Sequence, residues 1–474
     1  MSNQIPIKNL KTENTETELV EYDLYQKRKK IYTRRITGFF QVIRTRMLWV
    51  LMLGYFLTPW INFHDRQGVF FDLPSRQFHI FGITFWPQDF FLLAALLIIS
   101  AFALFLLTTL FGRVWCGYTC PQTVWTMIFM WIEEKTEGSR NQRIKLDKEP
   151  MSKSKFYKKF SKHSLWVIFS WLTGLTFVGY FTPVRDLVID FFTLDANLWS
   201  YFWIAFFTGA TYLFAGWMRE QVCTYMCPYA RFQSVMFDSN TLVISYDATR
   251  GEGRGARKKG VEPKDVGLGD CIDCNQCVHV CPAGIDIRDG LQYECIGCAL
   301  CVDACDDVMD KMGYARGLVS YTTESRLEGK KSKIIRPKSI GYAIAMLSMV
   351  VAFSFIVGDR EPLELDVLKD RNRLYNETPS GMIENIYTVK ILNMDQSKHT
   401  FELSVNGLEQ LNMIGRKKFV VNSGEVRSIP LSIQVPPHVL TEQKNIISFT
   451  ITSTDPSYEA TKTTESRFIG PIGK

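Results

Sequence analysis

The chain has 474 residues, more than one ordinary soluble domain. Hydrophobic residues make up 46 % of it and aromatics 14 %, and they gather in long runs almost free of charge, which argues against a set of buried core helices in a soluble protein. The net charge of +7 sits mostly in particular loops, so membrane topology accounts for it and no nucleic-acid partner is required.

Residues 1–39 form a basic arm with Lys27, Arg28, Lys29, Lys30, Arg34 and Arg35. The first 30 residues lack an apolar h-region, so a cleavable signal peptide is not expected, and they read as a loosely held segment. Five segments then approach the roughly 20 apolar residues that a bilayer requires: about 40–62, 88–111, 164–184, 199–217 and 339–357. Arg44 and Arg46 interrupt the start of the first, which is expected to begin near Met47.

Lysine and arginine are dense in the loop between the second and third segments (Lys135, Arg140, Arg143, Lys145, Lys148, Lys153, Lys155, Lys158, Lys159, Lys162). They are sparse in the loops 64–84 and 185–198. The asymmetry places the N-terminus and the loops 112–163 and 218–338 in the cytoplasm and residues 358–474 outside.

The second and fourth segments are each followed by Cys-x-x-x-Cys-Pro: Cys116, Cys120 and Pro121 in "CGYTCP", Cys223, Cys227 and Pro228 in "CTYMCP". The two hairpins of the region 40–240 thus read as an internal repeat whose packing would bring four thiols together. On one continuous helix the paired thiols, four residues apart, would share a face. With proline opening a new helix, Cys120 and Cys227 would instead sit at helix N-termini, where thiolate is favoured. Arg113, Arg219 and Arg231 flank the motifs. Cu(I), zinc or an iron–sulfur cluster all suit such a soft donor set. Met127, Met130, Met218, Met226 and Met236 add thioethers, and each is read as packing.

The stretch 241–338 opens with strand-like residues, passes through a Gly- and Arg-rich loop, and reaches the remaining eight cysteines. Cys271, Cys274, Cys277 and Cys281 are spaced C-x2-C-x2-C-x3-C before Pro282, and Cys295, Cys298, Cys301 and Cys305 repeat the spacing. Zinc sites also use short Cys pairs, but two consecutive runs of this spacing resemble the bacterial two-cluster ferredoxin module. That resemblance implies two [4Fe–4S] clusters, one on Cys271, Cys274, Cys277 and Cys305, the other on Cys295, Cys298, Cys301 and Cys281. Asp306 stands where the module usually has proline, placing an acidic group near a cluster, and His279 is a neighbour rather than a ligand.

The fifth segment, 339–357, leads to residues 358–474, where "IYTVKIL", "TFELSV", "KFVV", "IPLSIQV" and "ISFTIT" alternate apolar and polar positions between turns. This predicts an immunoglobulin-like β-sandwich without an intersheet disulfide. Its only histidines, His399 and His438, are far apart in sequence and suggest no metal site.

Taken together, the paired motifs, "LVISYDATRGEGRG", the double four-cysteine run and the all-β tail resemble the CcoG/FixG/RdxA family of cbb3-type cytochrome c oxidase accessory proteins. The resemblance implies a multi-domain protein of the bacterial inner membrane, with an α-helical transmembrane bundle, a cytoplasmic 2[4Fe–4S] ferredoxin-like domain and a periplasmic immunoglobulin-like domain. It implies reduction of Cu(II) to Cu(I) for oxidase assembly, with copper as substrate or transient ligand of Cys116, Cys120, Cys223 and Cys227. A soluble cytoplasmic electron donor and oxidase subunits or copper-delivery proteins would be the partners. A general electron conduit to a quinone and a non-enzymatic assembly scaffold are the competing readings, and the oligomeric state is open.

Overall fold

The computed structural model describes residues 30–63, 66–358, 363–371, 373–395, 397–456 and 458–471. Of the basic arm, Lys27, Arg28 and Lys29 lie outside the described residues.

Helix α1 spans Phe39–Leu57 and tightens into a 3-10 turn ending at Trp60. It starts ahead of its two arginines, in agreement with the segment read at about 40–62 rather than with a start at Met47. Arg44 is buried and its Nε donates to the Gly117 carbonyl at 3.0 Å, so this cation is bonded inside the fold and does not interrupt the helix. A three-stranded antiparallel sheet follows, β1 (Val69–Asp72), β2 (Gln77–Ile80) and β3 (Ile83–Phe85).

Next come α2 (Phe90–Phe111), the short α3 (Val114–Tyr118), α4 (Pro121–Glu137), α5 (Arg140–Lys148), α6 (Lys153–Val178), α7 (Val184–Thr193) and α8 (Leu198–Thr211). The last widens into π-helical turns as far as Met218. A π-helical turn at Val222–Met226 precedes α9 (Pro228–Met236). Strand β4 (Val243–Tyr246), α10 (Gln276–Val280), α11 (Leu300–Met312) and strand β5 (Val319–Thr322) complete the cysteine-rich stretch, and α12 runs Pro337–Gly358.

Among the described residues four helices are long and apolar enough to cross a membrane: Phe39–Trp60, Phe90–Phe111, Leu198–Met218 and Pro337–Gly358. The segment expected at 164–184 is the second half of α6, whose first turns carry Lys153, Lys155, Lys158, Lys159 and Lys162. Its apolar part, 165–178, is about 21 Å long at the α-helical rise. The chain then turns at 179–183 into α7.

The chain divides into two compact units. One comprises the segments up to Leu48, 110–167 and 212–333. In it β4 and β5 pair antiparallel, Val243 opposite Thr322, over a core of Ile244, Val302, Met309, Leu318 and Val319 that also buries Cys271 and Cys277. The ferredoxin-like stretch thus shares a unit with both Cys-x-x-x-Cys-Pro segments.

The other unit comprises 49–109, 168–211 and the segment from Ile334 onward. It contains β1–β3 and a β-sandwich of strands β6 (Leu363–Lys369), β7 (Ile383–Asn393), β8 (His399–Asn406), β9 (Asn412–Ile414), β10 (Lys418–Val421), β11 (Val426–Val435), β12 (Lys444–Ser453) and β13 (Thr461–Ile469). The sheet orders are β9-β11-β7-β6 and β10-β8-β12-β13. Alternation along the strands turns Tyr387, Val389 and Ile391 of one sheet toward Phe401, Phe449 and Phe468 of the other, and these rings and branched chains form the core. Tyr387 Oη donates across the sandwich to the Arg467 carbonyl at 2.9 Å. His399 is flanked by Asp395 at 2.7 Å and Asp455 at 3.0 Å on opposite ring nitrogens, so the ring joins two loops.

Replacing Phe449 with alanine is expected to destabilise the sandwich by about 3–5 kcal/mol, the cost of a large cavity in a closed core. Thermal unfolding of the full-length protein, followed by proteolytic release of the C-terminal region, would measure it.

Candidate iron–sulfur and thiol site

In both Cys-x-x-x-Cys-Pro motifs the second cysteine is the N-cap of a new helix and the proline its first residue: Cys120 before α4, Cys227 before α9. Proline lacks the N–H that a continuing helix would need, so the chain breaks there and a single helical face carrying both thiols does not form. The repeat extends upstream. Four residues before the first cysteine the backbone is left-handed in both copies, at Gly112 (φ 60°) and Arg219 (φ 47°). At Gly112 a Cβ would meet the Leu242 carbonyl oxygen at 2.7 Å. Arg219 adopts the strained conformation because its guanidinium is held by the Gly216 carbonyl at 2.9 Å and by Glu133 at 2.9 Å.

Glu133 is fully buried on α4. Besides Arg219 it meets Arg143 of α5 at 3.2 Å, Lys30 of the arm at 3.4 Å and Lys162 of α6 at 4.0 Å. Glu137, one turn on, takes Lys162 at 2.8 Å and Lys159 at 2.9 Å. Burial pushes the Glu133 carboxyl up, but Arg219, Lys30, Arg143 and Lys162 outweigh it and hold the group down at about 2. Three cations read as loop charges (Arg143, Lys159, Lys162) and Lys30 of the arm are therefore structural.

The four thiols are brought close enough to act on one another electrostatically. Cys120, Cys223 and Cys227 all bear on Cys116, and Cys120 and Cys227 on Cys223. Cys116 Sγ lies 3.3 Å from Oε1 of Gln233, a buried residue on α9, so the first motif is tied to the helix that follows the second. Arg113 adds a further tie, donating to the carbonyls of Ala230, Tyr293 and Cys295. Arg231 is exposed.

At Cys120 burial opposes the thiolate character that a helix N-terminus favours. Burial pushes Cys116 and Cys223 up to about 12, with neighbouring thiols adding and Arg113 opposing. It also raises Cys120 against the lowering effect of the Thr123 and Gln122 N–H groups. Desolvation outweighs the helix end.

The eight remaining cysteines separate into two cavities. Cys271, Cys274, Cys277 and Cys305 line one, with about 370 Å³ of empty space. Cys281, Cys295, Cys298 and Cys301 line the other, with about 340 Å³, and Cys277 also lines it. Three thiols of one run and the last of the other thus converge twice, and this donor set fits two [4Fe–4S] clusters. His279 lines neither cavity. Its backbone carbonyl accepts the Arg34 N–H at 2.7 Å. The runs differ locally: α10 stops before Pro282, whereas Asp306 lets α11 continue through Cys305 to Met312. Asp306 accepts the Gly317 N–H at 3.0 Å and its charge raises the Cys305 thiol, secondary to burial.

A 4Fe–4S dicluster domain family matches residues 218–324, a 4Fe–4S binding domain family residues 93–136, and the family described as the IG-like fold at the C-terminus of FixG residues 353–471. The chain is 38 % identical over 442 residues to "Nitrogen fixation protein FixG" of Rhizobium meliloti, covering 85 % of this chain and 84 % of that protein. It belongs to the FixG family. "Protein RdxB" of Cereibacter sphaeroides is 40 % identical over 81 % of this chain and 83 % of its own length. A solved FixG-related protein from Vibrio parahaemolyticus is 34 % identical, spans 24 % of this chain and 100 % of its own, and aligns with a TM-score of 0.22. The chain is accordingly a FixG-type iron–sulfur redox protein associated with a membrane.

In this FixG-type chain the first motif packs on the second cavity's loop. A Cβ on Gly117 would meet the Ile296 carbonyl oxygen at 2.9 Å and Cys298 backbone at 3.0 Å. The loop is also fastened to α1. Asp303, between Cys301 and Cys305, accepts the N–H groups of Phe40 at 3.2 Å and Gln41 at 2.8 Å, capping the helix from outside it. Gly38 leaves room for that carboxylate. Asp303, Arg44, Gln233 and Glu133 escaped sequence reading. A carboxylate between two cysteine ligands was the only local hint, because each partner lies far along the chain.

Exchanging Asp303 for alanine should cost about 0.5–2 kcal/mol, as for other lost N-caps. Faster hydrogen exchange at Phe40 and Gln41, with iron content retained, would show it. Glu133→Gln should cost about 3–5 kcal/mol, because it strands buried cations. A fall of that size in full-length stability by urea titration is the expected result.

Proposed function

We propose that this chain is a membrane iron–sulfur electron-transfer protein that reduces Cu(II) to Cu(I) for assembly of a cbb3-type cytochrome c oxidase. The observation that supports the reading is the packing of the first Cys-x-x-x-Cys-Pro motif against the loop that lines the second cysteine cavity, with the four thiols acting electrostatically on one another. Cys271, Cys274, Cys277 and Cys305 would hold one [4Fe–4S] cluster, and Cys281, Cys295, Cys298 and Cys301 the other. Each cluster, when bound, supplies reversible one-electron transfer.

The remaining work falls to this chain's own groups. Cys116, Cys120, Cys223 and Cys227 bind the copper substrate and favour its Cu(I) form, since soft thiolates match the softer ion. Binding displaces their protons, because the ligand is the thiolate. The thiols are half-buried, which limits solvent around them, and Arg113 ties the first motif to the second motif's helix and to the cluster loop. The balance is one electron per ion, Cu(II) becoming Cu(I). The thiols and clusters would lie on the cytoplasmic side of a bacterial inner membrane, and the sandwich in the periplasm, where it would meet oxidase subunits or copper-delivery proteins.

The test is anaerobic. Full-length protein in detergent is reduced with dithionite, freed of excess reductant and mixed with stoichiometric Cu(II), while a chelator traps Cu(I). Stoichiometric Cu(I) formation is expected, and its loss in the Cys116/Cys120/Cys223/Cys227→Ser variant with iron content unchanged. Equal rates in both proteins would sink the reading. Separately, Cys305→Ser is expected to lower bound iron by about half, as one of two four-iron clusters is lost, with iron analysis and EPR as the check.

A further inference from the structure

The two cysteine cavities are alike in ligands and unlike in lining. Apart from cysteines, the second is walled by Ile244, Ile285, Ile287 and Ile296. The first adds polar side chains, those of Tyr246, Asn275, Gln276 and Arg288. Cys274 of the first set is exposed, whereas none of Cys281, Cys295, Cys298 and Cys301 is. Reduction adds negative charge, and an apolar, enclosed wall opposes that charge more than a polar, solvated one.

One side chain in the first wall stands out. Tyr246 ends β4, is 7 % exposed and packs in the core with Ile244, Val302 and Met309. Its hydroxyl is buried and has no hydrogen-bond partner among the described residues. An unpaired buried hydroxyl is costly, yet the chain makes room for it. Asp247 caps the helical turn Ala248–Gly251 by accepting the Arg250 N–H at 3.1 Å. That turn sets Gly251 against the hydroxyl, where a Cβ would collide with the Tyr246 oxygen. Cys271 bears on the hydroxyl electrostatically, ahead of Glu252, whose carboxylate is engaged by Arg254 at 2.8 Å.

The neighbouring charges do not take its place. Arg288 lines the same cavity, but its nitrogens are taken by Asp286 at 2.8 Å and by Asp273 and Asn275, each at 2.5 Å, so its charge is matched. Asp306 acts in the opposite sense on Cys305, but it accepts the Gly317 N–H and does not line the cavity.

We propose that Tyr246 tunes the first cluster: its O–H donates to the Cys271 sulfur when that sulfur is a cluster ligand, and holds this cluster's potential above that of the second. A hydrogen bond to a ligand sulfur disperses negative charge and so favours the reduced form. Tyr246 is a positioning residue, acting through Cys271. The first electron taken from a reductant such as dithionite then rests on the Cys271 side, and the cavity packed against Gly117 fills only with the second. The inference rests on the iron–sulfur part of the proposed function and involves no copper.

The experiment is a mediated redox titration of full-length, iron-loaded protein in detergent, poised with dithionite and read by EPR. Two reduction waves are expected in the wild type. Tyr246→Phe keeps the ring and removes an oxygen that has no partner in the fold, so iron content is expected to stay unchanged. The upper wave is expected to become about tenfold harder to reduce, the scale of one hydrogen bond to a charged group, or about 59 mV for one electron. The lower wave is expected to stay where it is. A stationary upper wave, a shift confined to the lower wave, an equal shift in both, or a single merged wave in the wild type overturns the proposal. Loss of iron from Tyr246→Phe overturns it as well, by assigning the hydroxyl to assembly of the site. Iron analysis of the wild type tests the iron–sulfur reading separately, so failure there is distinct from failure here.

Discussion

A single buried carboxylate organises the thiol site. Glu133 stands on the helix that Cys120 opens, and through Arg219 it fixes the backbone four residues ahead of Cys223. Arg143, Lys162 and Lys30 bring α5, α6 and the arm to the same point. A charge removed from water at this depth persists only when several partners surround it, so the helices converge there or not at all. The left-handed turn at Arg219 is a consequence: the strain is tolerated because the guanidinium has nowhere better to go.

The iron–sulfur half depends on that arrangement through a second set of contacts. Arg113 reaches both the second motif's helix and the cluster loop, while Asp303 clamps the cluster helix to the start of α1. Glycines at 38 and 117 permit the close approaches. The two cysteine runs are alike in spacing and unlike in backbone, since proline after the first ends a helix that aspartate after the second allows to continue. An electron route through adjacent centres needs this kind of rigid mounting, because small displacements of redox groups change transfer strongly.

The sandwich is built on a different principle. Its strands alternate inward and outward residues, and the core closes by aromatic and branched side chains with Asn385 and Tyr387 bonding across the sheets.

Local pattern carried much of this protein into view. Apolar run length marked the membrane helices at 90–111, 198–218 and 337–358, strict alternation marked the strands, and proline after cysteine marked two helix starts. Those features depend on neighbours along the chain, which is why sequence suffices. It did not reveal that lysines read as loop charges are drawn into a buried ion network at the start of α6, or that Arg44 is sheltered inside the fold. Nor could it show the burial that opposes the helix end at Cys120. Sequence by itself determined which residues can ligate, where helices break and which faces are apolar, because spacing and side-chain chemistry are local. Only the tertiary structure decided that the first motif packs on the cluster loop and which distant charges stand beside Glu133, because close packing and charge pairing are set by segments far apart in the chain.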